Sequence, residues 1–241
     1  MKFLLELSYL GKNYSGYQKQ KNGNSIQEEL EKAIEKIVGK KVLTNASGRT
    51  DAGVSALKQV VSFELDNLPK NLDKRLNLIL PEDIRVLKVE KAEEDFHARF
   101  SAKRKTYLYN FYVSNVNIPF LDIFALRVNE NFDIKKVENE VFSLVGEKDF
   151  SAFCASGSQV VDKVREIYSA KILKNDLFYS LEITGNGFLY NMVRIIMGTL
   201  LEIGYGKLKN LEKIIVSKDR SKAGKTVPPV GLVLKEVLYN E

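Results

Sequence analysis

Asp51 lies in the run Ser47-Gly48-Arg49-Thr50-Asp51-Ala52-Gly53-Val54, a carboxylate bracketed by glycines with an arginine two residues before it. Glycine lets a chain turn tightly and lets a second molecule approach its backbone. Arginine supplies a fixed charge and planar donors suited to phosphate or carboxylate. A carboxylate on such a loop is placed to act on something outside the fold. The same pattern suits an Asx-turn, in which the aspartate caps its own backbone. Other reactive groups are few: one cysteine, Cys154, and one histidine, His97. No intrachain disulfide can form, and nothing supports a zinc site of clustered Cys and His. A Cys–His pair would need both solitary residues to meet. His97 reads as a structural residue near a strand end. Acid–base work therefore falls to carboxylates, tyrosines or lysines.

A second charged group is out of place. The stretch from Phe188 to Leu201 is almost wholly apolar, yet Arg194 sits in its middle. At helical spacing it shares a face with Tyr190, Met197, Gly198 and Leu201. A buried guanidinium is costly unless an anion meets it. The side chain could instead snorkel to the surface beside Asn191. The apolar flanks favour a carboxylate partner, and Asp51 is a candidate; the pairing would hold Asp51 ionised at neutral pH.

The chain has 241 residues and a net charge of +6, which favours a polyanionic partner. Arg99, Lys103, Arg104 and Lys105 precede Tyr107, Tyr109, Phe111 and Tyr112, and Lys218, Arg220, Lys222 and Lys225 form a second cluster. Cations beside aromatic rings suit RNA, whose phosphates need charge and whose unpaired bases need stacking surfaces. A solvated basic face beside an ordinary strand is the alternative. No segment reaches the ~18 apolar residues of a membrane span. The N-terminus meets Glu6 too early for a signal peptide.

The elements that must hold these residues alternate in type. Lys2–Leu10 reads as a strand. Ser25 and Glu28 form a capping box, and Ile26, Leu30, Ala33, Ile34 and Ile37 face one way until Gly39 stops the helix. Strands follow at Val42–Ser47 and Val60–Leu65, with Asp51 in the loop between. Asn71 caps a helix ended by Pro81, and Ile84–Val89 is a strand. In the second half Thr106–Val113 is a strand, Asp133 caps a helix closed by Gly146, and Val164–Leu173 pairs with Leu177–Thr184. Helices at Phe188–Ile203 and Leu208–Val216 and a strand at Val233–Tyr239 complete the chain. Mixed elements with strands in hairpins predict an α+β fold with mainly antiparallel sheets. Two similar halves, 1–104 carrying the Asp51 loop and 105–241, are expected to form one continuous body with a catalytic cleft between them.

Two phosphate-binding patterns are set aside. Gly224-Lys225-Thr226 lacks the first P-loop glycine, because residue 219 is aspartate, and prolines follow where a helix should start. Gly185-Asn186-Gly187 lacks the third glycine of a dinucleotide fingerprint and reads as a turn.

The segment Gly48–Ala56 resembles the signature of the tRNA pseudouridine synthase A family. So do Tyr14-Ser15-Gly16-Tyr17-Gln18-Lys19-Gln20, Phe96-His97-Ala98-Arg99-Phe100-Ser101-Ala102, Lys105-Thr106-Tyr107, Gly185–Gly204, and Pro228-Pro229 with Gly231-Leu232. The resemblance runs through the whole chain, with the motifs in order. It implies the pseudouridine synthase fold and isomerisation of uridine to pseudouridine in the anticodon stem-loop of tRNA, at tRNA positions 38, 39 and 40. It implies no cofactor and no metal, a cytoplasmic location and a homodimer. By motif match Asp51 would be the catalytic carboxylate, paired with Arg194. Tyr107 would stack on a flipped base and help move protons. Arg49 would contact tRNA near that base, Leu232 would line its pocket, and Gln18 and Lys19 would bind substrate. Tyr17 replaces the family's usual tryptophan, Lys19 a common arginine, and Tyr190 and Asn191 frequent histidines. A non-catalytic RNA-binding protein would gain nothing from a carboxylate in a basic cleft. An enzyme acting on a small phosphorylated substrate would need one compact phosphate site rather than dispersed basic clusters.

Overall fold

The computed structural model describes residues 1–21 and 23–240. In chain order its main elements are β1 (Lys2–Tyr9), α1 (Ile26–Val38), β2 (Thr44–Ala46), β3 (Ser55–Glu64), α2 (Leu72–Ile79), β4 (Ile84–Lys91) and β5 (Arg104–Val113). These are followed by β6 (Leu126–Val128), α3 (Ile134–Val141), β7 (Gly146–Asp149), β8 (Val164–Lys174), β9 (Tyr179–Gly185), α4 (Met192–Gly204), α5 (Leu211–Ser217) and β10 (Leu232–Leu238). The fold is α+β with mainly antiparallel strands. No described helix is long and apolar enough to cross a membrane. The chain divides into two compact units, Met1–Lys103 with Leu234–Glu241, and Arg104–Val233. The last eight residues thus group with the first unit, where the sequence reading had placed them in a half spanning 105–241. The Lys103 N–H donates to the Leu238 carbonyl at 2.9 Å, and the Tyr239 hydroxyl donates to the Ala98 carbonyl at 2.8 Å.

The first unit is built on β1, which alternates half-buried and buried residues along its length. It pairs antiparallel with β3 on one side and β4 on the other. β2 adds to β3 from Thr44↔Phe63 to Ala46↔Val61, and β10 neighbours β3 as well. α1 forms as its local signals predict. The Ser25 hydroxyl accepts from the Glu28 N–H at 3.3 Å, and Gly39 ends the helix at φ 75°. Ile26, Leu30 and Ile34 are fully buried, each contributing roughly 1.5–3 kcal/mol of apolar burial. α2 departs from expectation at its start. Asn71 has a left-handed backbone, φ 52°, and makes no side-chain cap bond.

In the second unit β5 pairs antiparallel with β9, β9 with β8, and β8 with β7, while β6 lies parallel to β5. α3 starts as predicted, with Asp133 accepting from the Lys135 and Lys136 N–H groups at 3.1 and 3.3 Å. α3 and α4 pack together. α4 begins at Met192, not at Phe188, because Asn191 adopts φ 58° and breaks the helix there. The Gly185–Gly187 segment is a turn locked to β8: Asn186 exchanges two hydrogen bonds with the Glu166 backbone, at 3.0 and 3.1 Å. Segment 224–227 crosses α4 at backbone contact, since a Cβ on Gly198 would lie 1.8 Å from the Lys225 carbonyl oxygen.

Candidate active site

Asp51 belongs to the first unit and is half-buried. Its loop leaves β2 and enters β3, and a neighbouring segment, Gly11–Tyr17, holds it from one side. The Tyr17 N–H donates to the Thr50 carbonyl at 3.1 Å, and the Gly53 N–H donates to the Tyr14 carbonyl at 3.2 Å. The Val54 N–H closes the turn onto the Asp51 carbonyl at 3.1 Å. Of the two bracketing glycines, only Gly53 has a left-handed backbone, φ 78°. The chain bends at Ser47 and Gly48 before the carboxylate and turns at Ala52 and Gly53 after it.

From below, buried polar side chains hold the residues that precede Asp51. Gln59 on β3 is fully buried. Its Nε2 donates to the Gly48 carbonyl at 2.8 Å, and its Oε1 accepts from the Ser47 hydroxyl. Tyr9 on β1 shares a 2.8 Å hydrogen bond between its hydroxyl and Thr50 Oγ1. Burial pushes the Tyr9 pKa up to about 12. Neither Gln59 nor Tyr9 lies in the family motifs; the one local signal is a glutamine heading the apolar run Val60-Val61.

The remaining predicted residues of this unit sort by exposure. Arg49, Gln18 and Lys19 are exposed, and Gln18 directly follows the residue that braces Thr50. Tyr17 is not a surface platform. It is 2% exposed, its ring 6.4 Å from that of Tyr9, and burial raises its pKa. Tyr14 is likewise turned inward, donating to Asp83 Oδ1 at 2.6 Å. His97 has the structural role expected of it, with Nδ1 accepting from the Arg99 and Phe100 N–H groups. Phe100, unremarked among the aromatics, is 76% exposed, with the Arg99 guanidinium 5.5 Å from its ring centre.

Tyr107, Arg194 and Leu232 belong to the second unit. Tyr107 on β5 is largely buried, and Phe188 meets its ring edge-on at 5.1 Å. Arg194 on α4 is half-buried: Nε donates to the Val227 carbonyl at 2.8 Å and Nη1 to Asn191 Oδ1 at 2.7 Å. The anticipated neighbour Asn191 thus holds part of the guanidinium, without exhausting its five donors. Tyr109, on the same face of β5 as Tyr107, has its pKa raised by burial and pulled back by the charge of Arg194. Its hydroxyl donates to the Pro228 carbonyl at 2.6 Å. Gly231 lies against Tyr109 and Asn110 so closely that a Cβ would fall 2.3 Å from the Asn110 oxygen. Leu232 follows it, buried. The unit therefore gathers the elements carrying all three residues.

The aromatic row of β5 corrects one expectation. Tyr109, Phe111 and Tyr112 are at most 1% exposed and form core, not an RNA-stacking surface. Both faces of β5 are covered along Tyr109–Tyr112, so these three residues serve packing. Of the second basic cluster, Lys218 pairs with Asp149 at 2.9 Å and Arg220 donates to the Gly224 carbonyl at 3.0 Å, and Lys218, Lys222 and Lys225 are all exposed.

A family model described as tRNA pseudouridine synthase matches residues 7–101 and 141–240. The chain is 43% identical over 240 residues to a tRNA pseudouridine synthase A of Thermoanaerobacter sp., covering 98% of each chain. It is 42% identical over 246 residues to that of Lacticaseibacillus casei, covering 98% of this chain and 99% of the relative. A solved H/ACA ribonucleoprotein bound to a substrate RNA aligns at 12% identity and a TM-score of 0.39, over 84% of this chain and 44% of that one. That likeness is too slight to bear on function.

Proposed function

This chain belongs to the tRNA pseudouridine synthase family, and from that membership we propose that it isomerises uridine in the anticodon stem-loop of tRNA, at positions 38, 39 and 40, with Asp51 as the catalytic carboxylate. One observation carries the role of Asp51. It stands half-buried on a loop braced from the side by the backbone of Tyr14 and Tyr17 and from below by Tyr9 and Gln59. A carboxylate needed only to cap a turn requires no such bracing.

The reaction breaks the bond from N1 of uracil to the sugar, turns the base, and joins its C5 to the same sugar carbon. C5 loses a proton and N1 gains one, so the product is an isomer and no electrons are exchanged. An ionised carboxylate can attack the sugar or the base, or take the proton at C2′. The base must first leave its stack, at a cost of a few kcal/mol that phosphate contacts and stacking offset. In this reading Tyr107 stacks on the flipped base and Leu232 lines its pocket. Arg49, Gln18 and Lys19 contact the RNA, and the exposure of these last three fits that task. Basic residues exposed in each unit fit a homodimer in which one tRNA touches both subunits.

We further propose Arg194 as the counter-charge of Asp51, on the strength of the apolar helix and the motif match. Arg194→Met is expected to lower kcat by about 100-fold. Removing the cation raises the carboxylate's pKa, so the acidic limb of the pH–rate profile should move up by about 1–2 units. An unmoved limb would refute the pairing. The function as a whole is tested by mass mapping of pseudouridine in tRNA incubated with the protein. Modification confined to positions 38–40 is the expected result; its absence there would overturn the proposal.

A further inference from the structure

The polar cluster beneath the Asp51 loop is more than the stability of the first unit requires. Leu5, Leu7, Val61 and Phe63 already give the paired strands β1 and β3 a buried apolar face. Gln59 nevertheless occupies a fully buried place opposite Leu7, where an apolar residue of the same size would fit. Buried hydrogen-bonded pairs exchanged for apolar groups of matching shape cost a fold little. What polar pairs add is direction.

The bonds are aimed at one place. Gln59 holds Ser47 and Gly48, and Tyr9 holds Thr50, so three of the four residues before Asp51 are tied to the sheet by side chains. Tyr9 and Gln59 thus hold the same short stretch from two paired strands, β1 and β3. The strand supplying Tyr9 is irregular where it matters. The register of β1 on β3 shifts between Leu7 and Tyr9, the kind of bulge that re-aims a side chain. With a regular register Tyr9 would pair two residues from Gln59's partner and meet Leu57, not Ala56.

We infer that Gln59 and Tyr9 are positioning residues for pseudouridine formation, setting residues 47–50 so that the Asp51 carboxylate keeps its reacting geometry. The inference rests on the reading of Asp51 as catalytic. Reacting geometry must hold to about 0.5 Å, and small misplacement slows chemistry about 100-fold without touching binding.

The test uses Tyr9→Phe with Thr50→Val, which removes both partners of one bond, and Gln59→Met with Ser47→Ala, which removes both partners of another and takes the donor from the Gly48 carbonyl. Thr50→Ser, which keeps the hydroxyl, is the conservative variant. Each is measured for Tm, for the KM of unmodified tRNA, and for the single-turnover rate of pseudouridine formation by tritium release. Both pairs are expected to melt within about 5 °C of the wild type and to hold KM within about threefold, while the single-turnover rate falls about 30- to 100-fold. Thr50→Ser should restore the rate to within about threefold. Wild-type rates in the pairs, or a loss confined to KM or to Tm, would overturn the inference. If a pair fails to fold, Tyr9→Phe alone, which removes one hydroxyl, decides by the same readouts. Turnover by Asp51→Asn in the same assay would instead sink the reading of Asp51, and this inference with it. Slow pairs beside an inactive Asp51→Asn support both.

Discussion

Asp51→Asn will abolish pseudouridine formation, lowering the single-turnover rate by about 10,000-fold, while tRNA affinity stays within about tenfold. Asparagine matches the carboxylate in size and can make the same turn. The Val54 N–H donates to the backbone carbonyl of residue 51, which asparagine retains. What disappears is the negative charge and the ability to take a proton or attack carbon. Binding should hold because a polyanion gains nothing from a carboxylate, and tenfold corresponds to only ~1.4 kcal/mol. Filter binding of tRNA alongside tritium release separates the two effects. Substantial turnover by the variant would refute the mechanism, and a large affinity loss would recast Asp51 as a binding residue.

Gly11→Ala is expected to cost the most stability of any single methyl added to the first unit. A Cβ there would lie 2.0 Å from the Val54 carbonyl oxygen, 2.4 Å from its carbon and 2.8 Å from the carbonyl carbon of Gly53. All three atoms are backbone, so no side chain can swing aside. Separating the strands of chain would break the Gly11 N–H bond to Ser55 Oγ, 3.0 Å, and strain the Gly53–Tyr14 bond. Overpacking costs typically 1–3 kcal/mol, and each lost bond adds about 1 kcal/mol. The sum, about 4 kcal/mol, lowers Tm by roughly 8–16 °C in a chain of this length. The displaced residues are two and three beyond Asp51, so activity should fall with stability. Gly39→Ala is the control. Nothing lies within 4 Å of its Cβ position, and its left-handed backbone alone costs about 1–2 kcal/mol. Equal Tm shifts in the two variants would refute the steric account.

How far the sequence reveals this protein depends on how local each determinant is. α1 was readable end to end because Ser25, Glu28, its apolar stripe and Gly39 all lie within the helix or beside it. α4 was misread at its start because Asn191 turns left-handed there while its side chain holds Arg194, a bond one apolar stretch does not announce. β6 and β7, three and four residues long, went unread, since such short strands exist only through pairing with β5 and β8. The aromatic residues of β5 suggested a stacking surface; only the covering of both faces of that strand decides otherwise. The Asp51 loop could be picked out from its residue types and scarce competitors. Its supports could not: Tyr9 reaches Thr50 across 41 residues, and the turning back of Gln59 onto Gly48 depends on the strand pairing that buries it.

The return of Leu234–Tyr239 to the first unit bears on how the protein is made. The second unit is threaded into the first as an insertion, so the ribosome delivers the Asp51 loop early and the strand beside β3 only after the whole second unit has emerged. N-terminal segments ordinarily fold first as they leave the ribosome. Here the nascent first unit waits without β10 beside β3 and without the Tyr239 hydroxyl that donates to the Ala98 carbonyl in the finished protein. A polypeptide released before β10 carries the Asp51 loop without that strand. The sheet of the first unit therefore gains β10 only after the second unit has been synthesised.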